Sequence, residues 1–224
     1  MITIIDYGMG NTGSILNMLR KLGTEATLSA DPAVLRNSTG LILPGVGAFD
    51  HGMQNIHDRG LIEVLNDCVL HRRIPILGIC LGMQLFARRS EEGERPGLGW
   101  IAADVRRFRF EPPAPPMRIP HMGWNEIRIA AMPTLESDSP AGRLFAQCET
   151  NARFYFVHTY HACCDEPGDV LATARYGYEF TAAMGRGHIV GTQFHPEKSL
   201  RFGLRLMQNF VDTTRRSAAP LSPT

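Results

Sequence analysis

The chain has 224 residues, of which 44% are hydrophobic and 20% charged, and its net charge is +1 at pH 7. That balance fits one large globular domain and gives no global electrostatic case for nucleic acid or an anionic membrane surface as partner. No apolar stretch reaches the roughly 18 residues of a membrane span, and the N-terminus lacks the basic segment of a signal peptide.

Residues 2–7 form a short apolar run, expected as a buried strand. Gly8-Met9-Gly10 is a turn, and Asn11 is placed to cap the helix that follows. Ile15, Leu16, Met18, Leu19 and Leu22 mark one face of that helix, which ends at Gly23. Strands are expected at 26–29 and 40–43, the second stopped by Pro44-Gly45-Val46-Gly47. Leu61, Ile62, Val64, Leu65, Val69 and Leu70 mark another helix. A strand over 74–79 runs straight into Cys80, and 81–89 reads as helix. Continuous apolar strands alternating with helices imply a parallel sheet covered on both faces. In such sheets, sites form beyond the carboxyl ends of the strands. Three unusual turns fall there: Gly8-Met9-Gly10, Pro44-Gly45-Val46-Gly47 and Gly78-Ile79-Cys80.

The second half changes character. Residues 111–116 are a stiff, proline-rich surface loop. Strand-like runs at 125–129, 154–159, 170–176 and 188–194 look antiparallel. Leu200, Leu204, Met207 and Val211 carry the last helix. The expected organisation is one domain over 1–213, with 214–224 a disordered tail.

Gly78-Ile79-Cys80-Leu81-Gly82 has the logic of a nucleophile elbow, a sharp strand-to-helix turn that presents a thiol at a helix N-terminus. On its own it reads equally well as a buried cysteine in a glycine-rich strand end. His195-Pro196-Glu197 offers a base with a carboxylate two residues on, on the same side of an extended chain. On its own it is more often a loop histidine beside a solvated acid. Together, Cys80, His195 and Glu197 are the parts of an acyl-transfer site. Pro44-Gly45-Val46-Gly47 reads either as an exposed row of backbone N–H groups or as an ordinary strand-ending turn. His121-Met122-Gly123-Trp124-Asn125 reads as core packing or as a patch for a partner. The other cysteines, Cys68, Cys148, Cys163 and Cys164, lack disulfide-framework and zinc-ligand spacing, so free thiols in a reducing cytoplasm are expected, with no metal.

Five motifs in order over almost the whole chain resemble the class I, or triad, glutamine amidotransferases. They are the three around Pro44, Cys80 and His195, together with Pro120-His121-Met122-Gly123-Trp124-Asn125 and Tyr155-Phe156-Val157-His158-Thr159-Tyr160. The last two narrow the resemblance to glutaminase subunits of imidazole glycerol phosphate synthase, in histidine biosynthesis. The resemblance implies a flavodoxin-like α/β fold with a mostly parallel central sheet flanked by helices and a smaller antiparallel element. It implies hydrolysis of L-glutamine by nucleophile Cys80, base His195 and orienting acid Glu197, without a cofactor. The backbone N–H groups of Val46 and Leu81 would form the oxyanion hole, and Gln84, Glu92, Thr159 and Tyr160 would hold glutamine. His121, Trp124, Tyr155 and Lys198 match positions facing a (β/α)8-barrel cyclase subunit that receives the ammonia. Residues 90–101 look closer to a paralogous branch that supplies ammonia for sugar amidation in surface-polysaccharide biosynthesis, which is the alternative acceptor pathway.

Overall fold

The computed structural model describes residues 1–110, 117–130 and 139–217. The chain opens β1 (Ile2–Ile5), α1 (Thr12–Lys21), β2 (Ala26–Ser29), α2 (Pro32–Arg36), β3 (Gly40–Leu43), α3 (Phe49–Asp58) and α4 (Leu61–Asn66). It continues through β4 (Ile76–Ile79), α5 (Leu81–Gln84), β5 (Arg89–Ser90), β6 (Ala103–Arg107), β7 (His121–Ile129) and α6 (Pro140–Arg143). It closes with β8 (Arg153–His158), β9 (Tyr160–Cys164), β10 (Val170–Tyr176), β11 (Tyr178–Arg186), β12 (Ile189–Thr192) and α7 (Leu200–Ser217).

Nine strands make one sheet in the order β2-β1-β3-β4-β12-β11-β10-β7-β8. The first five are parallel to their neighbours and the rest antiparallel. A small second sheet, β5-β6-β9, packs beside it. Both faces of the parallel half are apolar, as the unbroken hydrophobic runs demand. Ile2, Ile4, Ile42, Leu77 and Ile79 pack with Ile15 and Leu19 of α1 and with Leu206, Met207, Phe210 and Val211 of α7. Ile5, Leu41, Leu43 and Ile76 face the other way, onto Phe49, Met53 and Ile56 of α3 and Leu61, Val64 and Leu65 of α4.

Several expectations shift. Asn11 does cap α1, accepting the backbone N–H of Ser14. The helix expected over 81–89 stops at Gln84. The next carbonyls go elsewhere: Leu98 N–H donates to Leu85, Ile101 to Phe86 and Gly97 to Arg88, so the chain leaves the helix for β5. The helix expected through Leu70 ends at Asn66 and continues as a single π-helical turn, Asp67–His71. Helix α3 has no counterpart in the sequence reading. The last helix runs to Ser217, and Thr214 is buried with its hydroxyl on the Val211 carbonyl, so the tail cannot begin at 214. Residues 111–116, read as a surface loop, and 218–224 lie outside the described residues.

Helix α7 supports the turn that carries His195. A Cβ on Gly203 would overlap the backbone oxygen of Pro196. Gly203→Ala therefore sets a helix-propensity gain of about 1 kcal/mol against an overpacking cost of about 1–3 kcal/mol. The overlapped atom is backbone, so the cost prevails. Thermal unfolding is expected to show a lower midpoint for the variant, and a higher midpoint would refute the packing argument.

Candidate active site

Strand β4 ends at Ile79, paired in parallel register with Thr192 of β12. The next residue on each strand, Cys80 and Gln193, thus lie side by side, and Cys80 N–H donates to the Thr192 carbonyl at 2.7 Å. Cys80 has φ 55° and ψ −109°, the left-handed backbone of a nucleophile elbow, at a cost of order 1–3 kcal/mol. The elbow is pressed against the end of β3, where a Cβ on Gly82 would overlap the Leu43 carbonyl oxygen. Tyr7, at the end of β1, donates its hydroxyl to the Pro44 carbonyl at 2.5 Å and ties the Pro44–Gly47 turn to the sheet.

His195 and Glu197 follow β12 on a 3₁₀ turn, Pro196–Lys198. His195 Nδ1 lies 2.8 Å from Glu197 Oε1, and both side chains are 1% exposed. Buried Ser199 locks the turn by donating to the His195 carbonyl at 2.6 Å and accepting Tyr155 N–H at 3.0 Å. Burial alone would lower the His195 pKa, but hydrogen bonding and negative charge at Cys80, as thiolate, and at the Glu197 carboxylate outweigh it and raise it to about 9. Beside a Cys80 thiolate the imidazole therefore holds its proton at neutral pH. That form stabilises an adjacent thiolate and can deliver a proton to a leaving amine.

A cavity of about 290 Å³ is lined by Val46, Cys80, Leu81, Gln84, Glu92, Thr159, Tyr160 and His195, together with Gly47, Pro120, Val157 and His158. The structure thus gathers every residue expected to act on or hold a substrate, with Glu197 behind His195. Glu92 is half-buried and accepts Phe49 N–H at 2.8 Å. Burial pushes its pKa up, the Phe49 N–H opposes this and the charge of Asp50 adds to it, so a cationic partner in the cavity would relieve it. Asp50 accepts the N–H groups of Glu94 and Arg95 at 3.0 Å each, which holds the 92–95 loop against α3.

Of the residues expected at a partner surface, Trp124, Tyr155 and Lys198 come together. Trp124 is 42% exposed, its ring 6.2 Å edge-on from Tyr155, and Lys198 Nζ sits 5.7 Å from the Tyr155 ring centroid. His121 does not join them. It is 3% exposed and faces inward, while its neighbour Met122 takes the outward position at 62%. Alternation along β7 decides this, since adjacent residues point to opposite faces.

The sequence reading gave no role to His158, which lines the cavity from below. His158 Nδ1 is 2.8 Å from the Tyr160 carbonyl and must donate to it. Its Nε2 then accepts from His121 Nδ1 at 2.9 Å, and His121 Nε2 accepts from Asn125 at 3.3 Å. Burial lowers His158 to about 3 and His121 to about 4, so both are neutral and the chain of donors runs one way. Among the described residues no cluster of three or more His, Cys, Asp or Glu side chains could hold a metal ion. No described helix is long and apolar enough to cross a membrane.

An elbow cysteine, a buried His–Glu pair and a carboxylate-lined cavity on a mostly parallel α/β sheet define a triad amidotransferase, and comparison with known proteins gives the same class. The sequence model of the class-I glutamine amidotransferases matches residues 3–213, and the chain belongs to that family. Within it, the chain is 46% identical to imidazole glycerol phosphate synthase subunit HisH 2 of Methanococcus maripaludis, over 94% of this chain and 98% of that one. It is 45% identical to the protein of the same name from Pseudomonas aeruginosa, over 95% and 99%. A solved glutamine amidotransferase superposes with TM-score 0.68 at 20% identity, covering 96% of this chain and 98% of that one, which supports the fold.

The His195 pKa yields a stability test. Raised from 6.5 to about 9, it marks a stabilisation fully present below pH 6.5 and lost as pH rises through 9. Glu197→Gln removes one cause of the rise. The stability gap between native chain and variant is expected to narrow between pH 6.5 and 9 in chemical denaturation, whereas a constant gap would contradict the His195–Glu197 coupling.

Proposed function

We propose that this chain is the glutaminase subunit of imidazole glycerol phosphate synthase, hydrolysing L-glutamine to glutamate and ammonia. The observation that carries the reading is the meeting of Cys80, the buried His195–Glu197 pair and Glu92 around one cavity of substrate size. The relatives' shared name supports the histidine branch over sugar amidation.

In this mechanism the Cys80 thiolate attacks the side-chain amide carbon of glutamine, and the N–H groups of Val46 and Leu81 stabilise the oxyanion. Imidazolium His195 gives its proton to the departing nitrogen, the C–N bond breaks and ammonia leaves. A γ-glutamyl thioester remains on Cys80. Neutral His195 then takes a proton from water, whose oxygen attacks the thioester, and glutamate departs as the thiolate re-forms. Glu197 holds the imidazole and stabilises its charge in both steps. Glu92 pairs with the substrate ammonium, while Gln84, Thr159 and Tyr160 line the rest of the binding site. Ammonia is protonated in water and loses its nucleophilicity, which favours direct transfer. The receiving subunit is a (β/α)8-barrel cyclase that makes imidazole glycerol phosphate and an aminoimidazole carboxamide ribotide. Exposed Met122 and Trp124, with Tyr155 and Lys198, form the docking face beside the site.

Cys80→Ala is expected to reduce glutamate release by about 10³-fold or more while leaving the melting curve and partner binding intact. Retained turnover would remove Cys80 as nucleophile. Glu92→Gln is expected to raise the KM for glutamine about tenfold, the scale of one charge-assisted contact. An unchanged KM would place the ammonium elsewhere. The pathway is tested by glutamate release with and without a histidine-pathway cyclase subunit and its ribonucleotide substrate. Strong stimulation with imidazole product is expected. Absence of stimulation, with Cys80 still labelled by a glutamine analogue, would move the acceptor to the sugar-amidation branch.

A further inference from the structure

Gln193 opens the motif that carries His195 and Glu197, yet the mechanism above leaves it without a task. It is fully buried, beside Cys80 across the β4–β12 pair. Burying a primary amide costs free energy unless its groups are bonded, so its partners are informative. Its Oε1 lies 2.9 Å from Gln84 Nε2, and its Nε2 lies 3.7 Å from Cys80 Sγ.

The polarity of this chain is fixed from its far end. Gln84 Nε2 also lies 3.0 Å from the Tyr160 carbonyl, which can only accept. Gln84 must therefore present its NH₂ group there, and the same nitrogen can meet only an acceptor on Gln193. Gln193 is thus held with its carbonyl towards Gln84 and its NH₂ towards the sulfur. The reverse orientation would oppose two donors at Gln84 and turn a carbonyl oxygen towards the thiolate. Tyr160 also receives the His158 donor at 2.8 Å, so the anchoring carbonyl is itself pinned.

The other groups around Sγ leave this role open. The Val157 carbonyl, 3.9 Å away, only accepts and so favours the protonated thiol. The Tyr7 hydroxyl spends its proton on the Pro44 carbonyl. His195 meets the thiolate as a cation but loses its proton to the leaving nitrogen during the reaction. Gln193 is a neutral donor that keeps its protons at every step.

We propose that Gln193 is a further catalytic residue, whose Nε2–H hydrogen-bonds the Cys80 sulfur and stabilises it as a thiolate, held in that orientation by Gln84 and the Tyr160 carbonyl. The proposal rests on Cys80 being the nucleophile. Its particular consequence is that the sulfur keeps a donor when His195 is neutral, as it is once ammonia has left. Gln193 thus faces the sulfur in the first attack, throughout the thioester stage when His195 is neutral, and again as negative charge returns to the sulfur in hydrolysis, beside the His195 that has taken its proton from water.

The test follows alkylation of Cys80 by iodoacetamide in the full chain across pH, read by mass spectrometry of the Cys80 peptide. It compares the native chain with Gln193→Glu and Gln193→Leu. Gln193→Glu keeps the shape and the acceptor for Gln84 but turns an oxygen towards sulfur. Loss of a hydrogen bond to a charged acceptor is expected to slow alkylation at neutral pH about tenfold and move its pH profile upward. With the cyclase subunit, kcat for glutamine is expected to fall by a similar factor with little change in KM, a split that simple loosening of the pocket would not produce. An unchanged alkylation profile in folded Gln193→Glu would overturn the proposal. The native chain offers a reading free of substitution: in ¹⁵N-edited NMR the Gln193 side-chain protons are expected to shift with Cys80 titration and to stop doing so in Cys80→Ala. No such shift would overturn it too. Labelling of the native chain by a glutamine analogue at a residue other than Cys80 would instead remove the nucleophile assignment itself.

Discussion

The rest of the site depends on the strained backbone of Cys80. A non-glycine residue at φ 55° stays there only because its surroundings over-determine it. Strand β4 is laddered on both sides, to β3 through Leu43↔Gly78 and to β12 through Ile79↔Thr192. Gly82, two residues on, is wedged beneath the Leu43 carbonyl. These constraints aim the sulfur away from the core and into the cavity. They also hold Leu81 close against the Pro44–Gly47 turn, where a Cβ on Gly45 would meet the Leu81 side chain. A relaxed Cys80 would lose all these relations at once.

Around that point the protein buries an unusual amount of polar chemistry. His195, Glu197, Gln84, Gln193, His121 and His158 lie within a mostly apolar shell. Low dielectric strengthens each bond in such a network and makes each unmade bond costly. Among the described residues, His195 Nε2 and Glu197 Oε2 of this network are buried without a hydrogen-bond partner. The first is the position from which a proton would pass to a bound substrate. The network converges on the Tyr160 carbonyl, which accepts from both His158 and Gln84 and so sets the orientation of two histidines and two glutamines.

The sequence made the chemistry legible where two motifs are read together. Cys80 between glycines and His195 two residues before Glu197 are each ambiguous alone, and as a pair they suggest a nucleophile and a base. The parallel half of the sheet was legible through its unbroken apolar strands. Helix α3 was not, because its N-cap is Ala48, which has no side-chain hydrogen bond to signal a start. The short α5 was overextended because Leu85, Phe86 and Ala87 continue an apolar pattern while their backbone groups bond to a distant loop. His121 was placed outward because a motif gives the residue but not its parity on the strand. His158 and Gln193 were silent for a related reason: their partners lie 37 and 109 positions away, and only the folded register brings them together.

That register has a wider consequence. Cys80 and His195 are set by two adjacent strands, while the chain between them, from Arg88 to His188, supplies the small sheet, the antiparallel strands and the outward face of β7. The Ile79–Thr192 pairing is made directly between β4 and β12, and β11 of the interval ladders onto the other edge of β12. The site is therefore divided: adjacent strands aim Cys80 and His195, and the interval brings Glu92, Thr159 and Tyr160 to the same cavity. A remodelled interval would reshape the cavity wall and the outward face together, because one stretch of chain builds both.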